Sequence, residues 1–362
     1  MRDNSVDAFF ALVRAGLWGK AGVTISDVLN LNENVDWEKV YQLAQEQSVQ
    51  GIVLQGIEWL KKHNDKLNFP QVLLLQWIGE VRLIEQRNKE MNAFVAELFE
   101  KLYNQGINAL LVKGQGLAQC YEKPLWRTSG DVDLFLSDKD YSKAKVFLLP
   151  LSHGNKPERR YSKELGVSIF KWYVELHGTQ RTGLSSRLDK EIDDLQICAF
   201  NNREYRSWLN ENSKVFLPSA DEDVLFVFTH FLKHFYKEER VCLRQICDWC
   251  RLLWSFHNKL DFHILELRLR KMHLMAEWEA FGAIAVKYLG LPKDIMPFYN
   301  EFNSRQWVCD RILSMILHNG NRERLKAACS AIRIFPINTI RFLPGILFDI
   351  NWLKIEERYF RK

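Results

Sequence analysis

The hydrophobic period of the chain changes twice along its length, and that limits its fold more than any other feature. Residues 1 to about 100 repeat apolar side chains three and four apart, in DAFFALVRAGLWG, in VDWEKVYQLAQEQSVQGIVLQGIEWLKKH and from Pro70 to Tyr103. This is the spacing of helices with one buried stripe, and Asn34 and Asp36 are the expected caps of the second stretch. The helical period returns from about Ser219, clearest in DEDVLFVFTHFLKHFY and VCLRQICDWCRLLWSFH, with Pro292, Pro336 and Pro344 as expected breaks. From Gly106 the intervening text reads as INALLVK (strand), GQGLAQCYE (helix), GDVDLFLS (strand), DKDYSKAKVFLL (helix) and VSIFKWYVELHGTQ (strand), with SHGNKPERRYSKE as a turn or hairpin before the last. The pattern predicts an α+β protein, mostly helical, with a small mixed-sheet core over 104–205 flanked by helical lobes over 1–103 and 206–362.

Hydrophobic residues make up 47% of the 362, enough for a sizeable core and too many for a disordered chain. A net charge of +5 does not demand a nucleic-acid partner, and a long nucleic acid, which would favour an extended basic stripe, is not expected. From Arg305 onward 11 Lys/Arg stand against 5 Asp/Glu, which reads as a solvated helical face or a contact with an anionic surface. Seven cysteines, an odd number in a chain without a secretory signal, predict reduced thiols and a cytoplasmic protein. AFFALVRAGLWG is broken by Arg14 and lacks a cleavage site, so it is expected to remain as an amphipathic helix. No apolar run approaches the ~18 residues of a membrane span.

Strand periodicity places chemistry on the sheet. In GDVDLFLS, Val132, Leu134 and Leu136 point one way and Asp131 and Asp133 the other. In VSIFKWYVELHG, Phe170, Trp172, Val174 and Leu176 form an apolar face, and Lys171, Tyr173, Glu175 and His177 a polar one. If the two strands lie side by side with matching faces, Asp131, Asp133 and Glu175 converge. Three such carboxylates require a cation, and hard oxygen ligands suit Mg²⁺ or Mn²⁺. His177 would either orient substrate or hydrogen-bond the carboxylate. VKGQG closes a strand and opens a helix, so Lys113, Gly114 and Gln115 form a candidate phosphate-binding turn, and Arg127 could grip a phosphate with its fork.

Taken in order, VKG, GLAQCY, PLWRTSGDVDLFL and VELH resemble the polymerase-β-like nucleotidyltransferase superfamily. They are most similar to bacterial nucleotidyltransferase-like proteins with a KG-x-x-L element, an R-x-x-x-D-[IV]-D-L strand and an E-[LIV]-H strand. AFFALVRAGLWG, HFLKHF and LRQICDW extend that resemblance over most of the chain. It implies a nucleotidyltransferase core in which Asp131, Asp133 and Glu175 hold metal ions, Glu175 helping to deprotonate an acceptor hydroxyl. The implied reaction moves a nucleoside monophosphate from an NTP to an unknown acceptor, with release of pyrophosphate. Two departures stand out: Gln115 replaces the serine or glycine that usually follows the turn glycine, and the gap from Gly114 to Asp131 is long.

The resemblance also implies that the C-terminal helical lobe closes over the nucleotide, bringing His234, Arg244 and Asp248 towards base, ribose or acceptor. The alternative is an interhelical salt-bridge network with a histidine in a polar gap. His230 and His234 lack the glutamate of HExxH, and Cys247 and Cys250 form a lone C-x-x-C, so neither pair is read as a zinc site. The twelve tryptophans read as core. Rival functions are a non-catalytic NTP-binding or regulatory protein on the same fold, and a phosphotransferase acting on the γ-phosphate.

Overall fold

The computed structural model describes residues 4–19, 35–63, 69–159, 162–238, 241–301, 305–317 and 331–359. Among the described residues the chain opens with the helices α1 (Ser5–Trp18), α2 (Trp37–Glu46), α3 (Gln50–His63) and the 34-residue α4 (Gln71–Asn104). Asp36 caps α2 by accepting from the Lys39 N–H, whereas Asn34 lies outside the described residues. The stretch that reads as one helix is two, α2 and α3. Ser48 between them takes a φ of 56°, which a helix interior does not allow.

The mixed segment folds as β1 (Ala109–Val112), the short α5 (Gly114–Ala118), β2 (Val132–Leu136), α6 (Asp138–Leu148), β3 (Gly154–Asn155), β4 (Glu164–Ile169) and β5 (Trp172–His177). The five strands lie in the order β1-β2-β5-β4-β3; β2 and β5 run parallel and the other neighbours antiparallel. The protein is therefore α+β and mostly helical, with a small mixed sheet. Val132, Leu134, Leu136, Trp172, Val174 and Leu176 bury one face against Phe94 and Phe99 of α4, as the period of two requires. The other face carries Asp133, Glu175 and His177.

VSIFKWYVELHG is a hairpin and not a single strand. Ile169 pairs with Trp172 across a two-residue turn at Phe170 and Lys171. Phe170 has a φ of 52°, the positive φ of the turns that match strand twist. Its ring is consequently 70% exposed instead of joining the apolar face. The hairpin sets β4 beside β5, so that Gly166 faces Glu175.

Beyond the sheet come α7 (Ser186–Asn202), the hairpin β6 (Arg206–Asn210) and β7 (Ser213–Leu217), then α8 (Ala220–Lys233), which runs into a π-helical turn at His234–Glu238. Helices α9 (Leu243–Phe256), α10 (Phe262–Met272), α11 (Met275–Lys287), α12 (Gln306–Leu317) and α13 (Pro336–Tyr359) follow among the described residues. Pro336 starts α13, but Pro344 lies inside it and does not end it. The helices before and after the sheet share one core, in which Phe9 and Leu54 belong to the same cluster as Phe228, Trp249 and Trp278. Trp77, Trp249 and Trp278 are fully buried, whereas Trp307 is half exposed. Of the basic tail, Arg322, Arg324, Lys326, Arg361 and Lys362 lie outside the described residues. No helix among the described residues is long and apolar enough to cross a membrane.

Candidate active site

Strand β1 ends at Val112 and the chain turns at once into α5. Lys113 takes φ 57° and ψ −146°, and Gly114 has φ 33°. A Cβ on Gly114 would stand 3.3 Å from the Asp131 carbonyl, so glycine lets the two segments lie together. A lysine held in such a backbone conformation costs about 1–3 kcal/mol and persists only where the surrounding structure holds it there. Here the Lys113 ammonium donates to Asp133 Oδ1 at 2.8 Å.

Strands β2 and β5 place Asp133 opposite Glu175 and Phe135 opposite His177. His177 Nε2 lies 2.8 Å from Asp133 Oδ1 and 3.6 Å from Glu175 Oε2. A carboxylate only accepts, so Nε2 carries the proton. Asp133 is 1% exposed. Burial by itself would raise its pKa, but Lys113 and His177 hold it well below the usual carboxylate range. Both donors fall on Oδ1. Asp133 Oδ2 is buried with no hydrogen-bond partner among the described residues, a costly state for an anionic oxygen.

Burial and then the charge of Asp133 push the pKa of Glu175 up, and the same two causes act on Asp131. For Lys113, burial would lower the pKa, yet the carboxylates of Asp133, Glu175 and Asp131 leave it above its ordinary value. Donor atoms of Asp133, Glu175 and His177 all lie within 4.8 Å of one another. Asp131, one residue before β2, lines the same cleft but is not in that group. Two carboxylates, one with an unpartnered buried oxygen, fit a divalent cation, and His177, with its Nε2 proton on Asp133 Oδ1, would orient that ligand.

The loop before β2 is held from several sides. Arg127 Nε and Nη2 donate to Asp248 Oδ1 and Oδ2 at 2.8 and 2.7 Å, and Nη1 donates to Ser129 Oγ at 2.9 Å. Tyr121 donates its hydroxyl to Asp248 at 2.8 Å. Asn88 on α4 donates to the carbonyls of Leu125 and Arg127, Arg87 to that of Gly130, and Arg244 on α9 to that of Thr128. The fork of Arg127 thus grips a buried carboxylate of the protein itself. Gln115 turns away from the cleft, donating to Asn88 Oδ1 and accepting from Ser129 Oγ.

These elements enclose a cleft of about 460 Å³. Lys113, Gly114, Arg127, Asp131, Asp133, Glu175, His177, His234, Arg244 and Asp248 line it, whereas Gln115 does not. His230 and His234 stand with their Nε2 atoms 3.0 Å apart on its helical wall. Burial, followed by Lys113 and His234, pushes His230 well below the usual histidine range. Among the described residues no third ligand joins this histidine pair, and Cys247 and Cys250 are buried and free. Sequence reading did not single out Lys156, Arg159 and Lys233, which also line the cleft. Only Tyr173 carried a signal, its place on the polar face of β5 two residues before Glu175.

A mixed sheet bearing a carboxylate cluster, roofed by helices that add cations, defines a class: α+β proteins with a candidate metal site in a polar cleft. The family described as uncharacterised nucleotidyltransferase matches residues 33–290, and the chain belongs to it. No curated protein and no solved structure matches the chain.

Proposed function

We propose that the protein transfers a nucleoside monophosphate from an NTP to an acceptor hydroxyl, releasing pyrophosphate, and that its core is polymerase-β-like. The observation that carries this reading is the pairing of Asp133 with Glu175 on adjacent parallel strands, with the free Asp133 oxygen, beside the Lys113–Gly114 turn. Asp131, Asp133 and Glu175 would hold Mg²⁺ or Mn²⁺, which when bound neutralises phosphate charge and aligns donor with acceptor. His177 fixes the Asp133 carboxylate through its Nε2 proton. Glu175, its pKa raised by burial and by Asp133, is suited to take a proton from the acceptor. Lys113 and the turn amides face the departing phosphates, and Arg244, Lys233 and His234 offer donors from the helical wall. Positioning and electrostatics account for most of such catalysis. Arg127 is assigned to the protein's own Asp248 rather than to a phosphate. The 1–103, 104–205 and 206–362 division is retained as an organisation of the chain and not as three separate cores.

The test uses purified protein, Mg²⁺ and each NTP labelled at either the α- or the γ-phosphate, incubated with a small-molecule cell extract. α-Label appearing in a new product together with pyrophosphate supports the reading. Transfer of the γ-label with release of a nucleoside diphosphate would replace it with phosphotransfer. NTP binding without turnover would favour a regulatory role.

A further inference from the structure

On the face of the sheet that carries the carboxylates, one cross-strand row continues past them. Asp133 faces Glu175, and Glu175 faces Gly166 of β4; the Gly166 carbonyl in turn accepts from the Lys156 N–H at 3.0 Å. Residues directly opposite in a sheet share a face, so this row runs from the metal group outward. Gly166 makes room in the row for the Tyr173 hydroxyl, whose oxygen stands 1.7 Å from where a Cβ on Gly166 would be, so the phenol tip lies over Gly166 beside Glu175. The Lys156 ammonium sits 4.6 Å from the centre of the Tyr173 ring, and Arg159 is bridged to Glu164 at 3.3 Å. Lys156, Arg159, Gly166, Tyr173 and Glu175 all line the cleft, and among the described residues Lys156 forms no ion pair.

The row gives the cleft two ends. The Lys113–Gly114 turn lies beside Asp133 on the β1 side, and Tyr173 with Lys156 lies beside Glu175 on the β4 side. In-line transfer needs donor and acceptor on opposite sides of the moving phosphoryl group. Resting on the function proposed above, we infer that Gly166, Tyr173 and Lys156 form the acceptor subsite. Its ligand is a small hydroxyl compound that carries an anionic group, a phosphate or a carboxylate. The anion is held by Lys156 and the Tyr173 hydroxyl, with Arg159 beside them. The acceptor hydroxyl lies at Glu175, about two strand spacings or ~10 Å from the Lys156 backbone. The hydroxyl oxygen forms the new bond to the α-phosphorus, its proton passes to Glu175, and pyrophosphate leaves towards Lys113.

The test is calorimetric titration of inorganic phosphate, and separately of malonate, into full-length protein saturated with Mg²⁺ and a non-hydrolysable NTP. At least one anion is expected to bind wild type. Lys156→Gln, an exposed position, should weaken it ten-fold or more while nucleotide affinity stays within two-fold. Tyr173→Phe should weaken it by a smaller factor. The stronger anion identifies the acceptor's charged group. Three results overturn the subsite: neither anion binds the nucleotide-loaded protein, Lys156→Gln leaves anion binding intact, or that variant lowers nucleotide affinity by the same factor. Failure of wild type to bind the nucleotide at all instead overturns the nucleotidyltransferase reading itself.

Discussion

Replacing Asp248 by Asn tests whether the loop that leads into the carboxylates is held by charge. The Arg127 and Asp248 side chains are each 4% exposed, and two hydrogen bonds of 2.7 and 2.8 Å join them. Removing one charge of such a pair leaves the other buried and uncompensated, at about 3–5 kcal/mol. At ~2.1 cal/mol/K per residue, 362 residues give an unfolding entropy near 0.76 kcal/mol/K, so Tm should fall by about 4–7 °C. Calorimetry at pH 7 measures that shift. The double variant Arg127→Met with Asp248→Leu removes both charges and should recover most of the loss, short of about 1–2 kcal/mol for the stranded Tyr121 and Ser129 hydroxyls. Mn²⁺ affinity, read by electron paramagnetic resonance, should drop in the folded Asp248→Asn protein because the loop bearing Asp131 is no longer pinned. A Tm within 1 °C of wild type, or a double variant less stable than either single one, would refute the reasoning.

Further expectations concern the carboxylates and their supports. His177→Ala should lower Mn²⁺ affinity by about 10–100-fold, the range for a residue that orients a metal ligand, with little change in Tm. Asp133→Asn should abolish Mn²⁺ binding, so a calorimetric titration that still saturates would remove Asp133 from the site. Because the folded pKa values of Asp131 and Glu175 lie above their ordinary ones, these groups destabilise the metal-free fold when ionised. Metal-free stability should therefore gain from them as pH falls from their raised pKa values to the ordinary carboxylate range. Mn²⁺ affinity should weaken over the same interval, and Glu175→Gln should raise the metal-free Tm at pH 7. Gly114→Ala should cost about 1–2 kcal/mol, since its φ of 33° is left-handed, and a denaturant midpoint unchanged from wild type would argue against that strain.

Much of the candidate site's geometry was legible because a strand's period is two. Asp133 and Glu175 each stood on a polar face opposite a run of core residues, so only their adjacency had to be inferred, and the parallel β2–β5 pairing supplies it. Phe170 and Lys171 hid the hairpin because the turn contains no glycine, proline, asparagine or aspartate, the residues by which such turns are usually recognised. The internal partners of Arg127 and Gln115 were not legible, for another reason. A polar side chain next to a cleft can serve a ligand or a buried partner, and their partners, Asp248 and Asn88, lie 121 and 27 residues away in the chain. Lys156 and Arg159 sat in a polar stretch whose period carries no facing information until Gly166 pairs with Glu175.

The pinning of the 127–130 loop also has a consequence for synthesis. Asn88 is available before the loop is made, but Asp248 and Arg244 follow it by more than one hundred residues. Contacts so distant in sequence close late, after the loop-closure entropy between them has been overcome. On the ribosome the sheet can pair while α9 is still inside the exit tunnel, yet Asp131 would then lie on a loop held from the α4 side alone, by Asn88 and Arg87. A nascent chain stalled before Asp248 should carry the strands of the candidate site without their final alignment, so its Mn²⁺ affinity should lie below that of the complete chain.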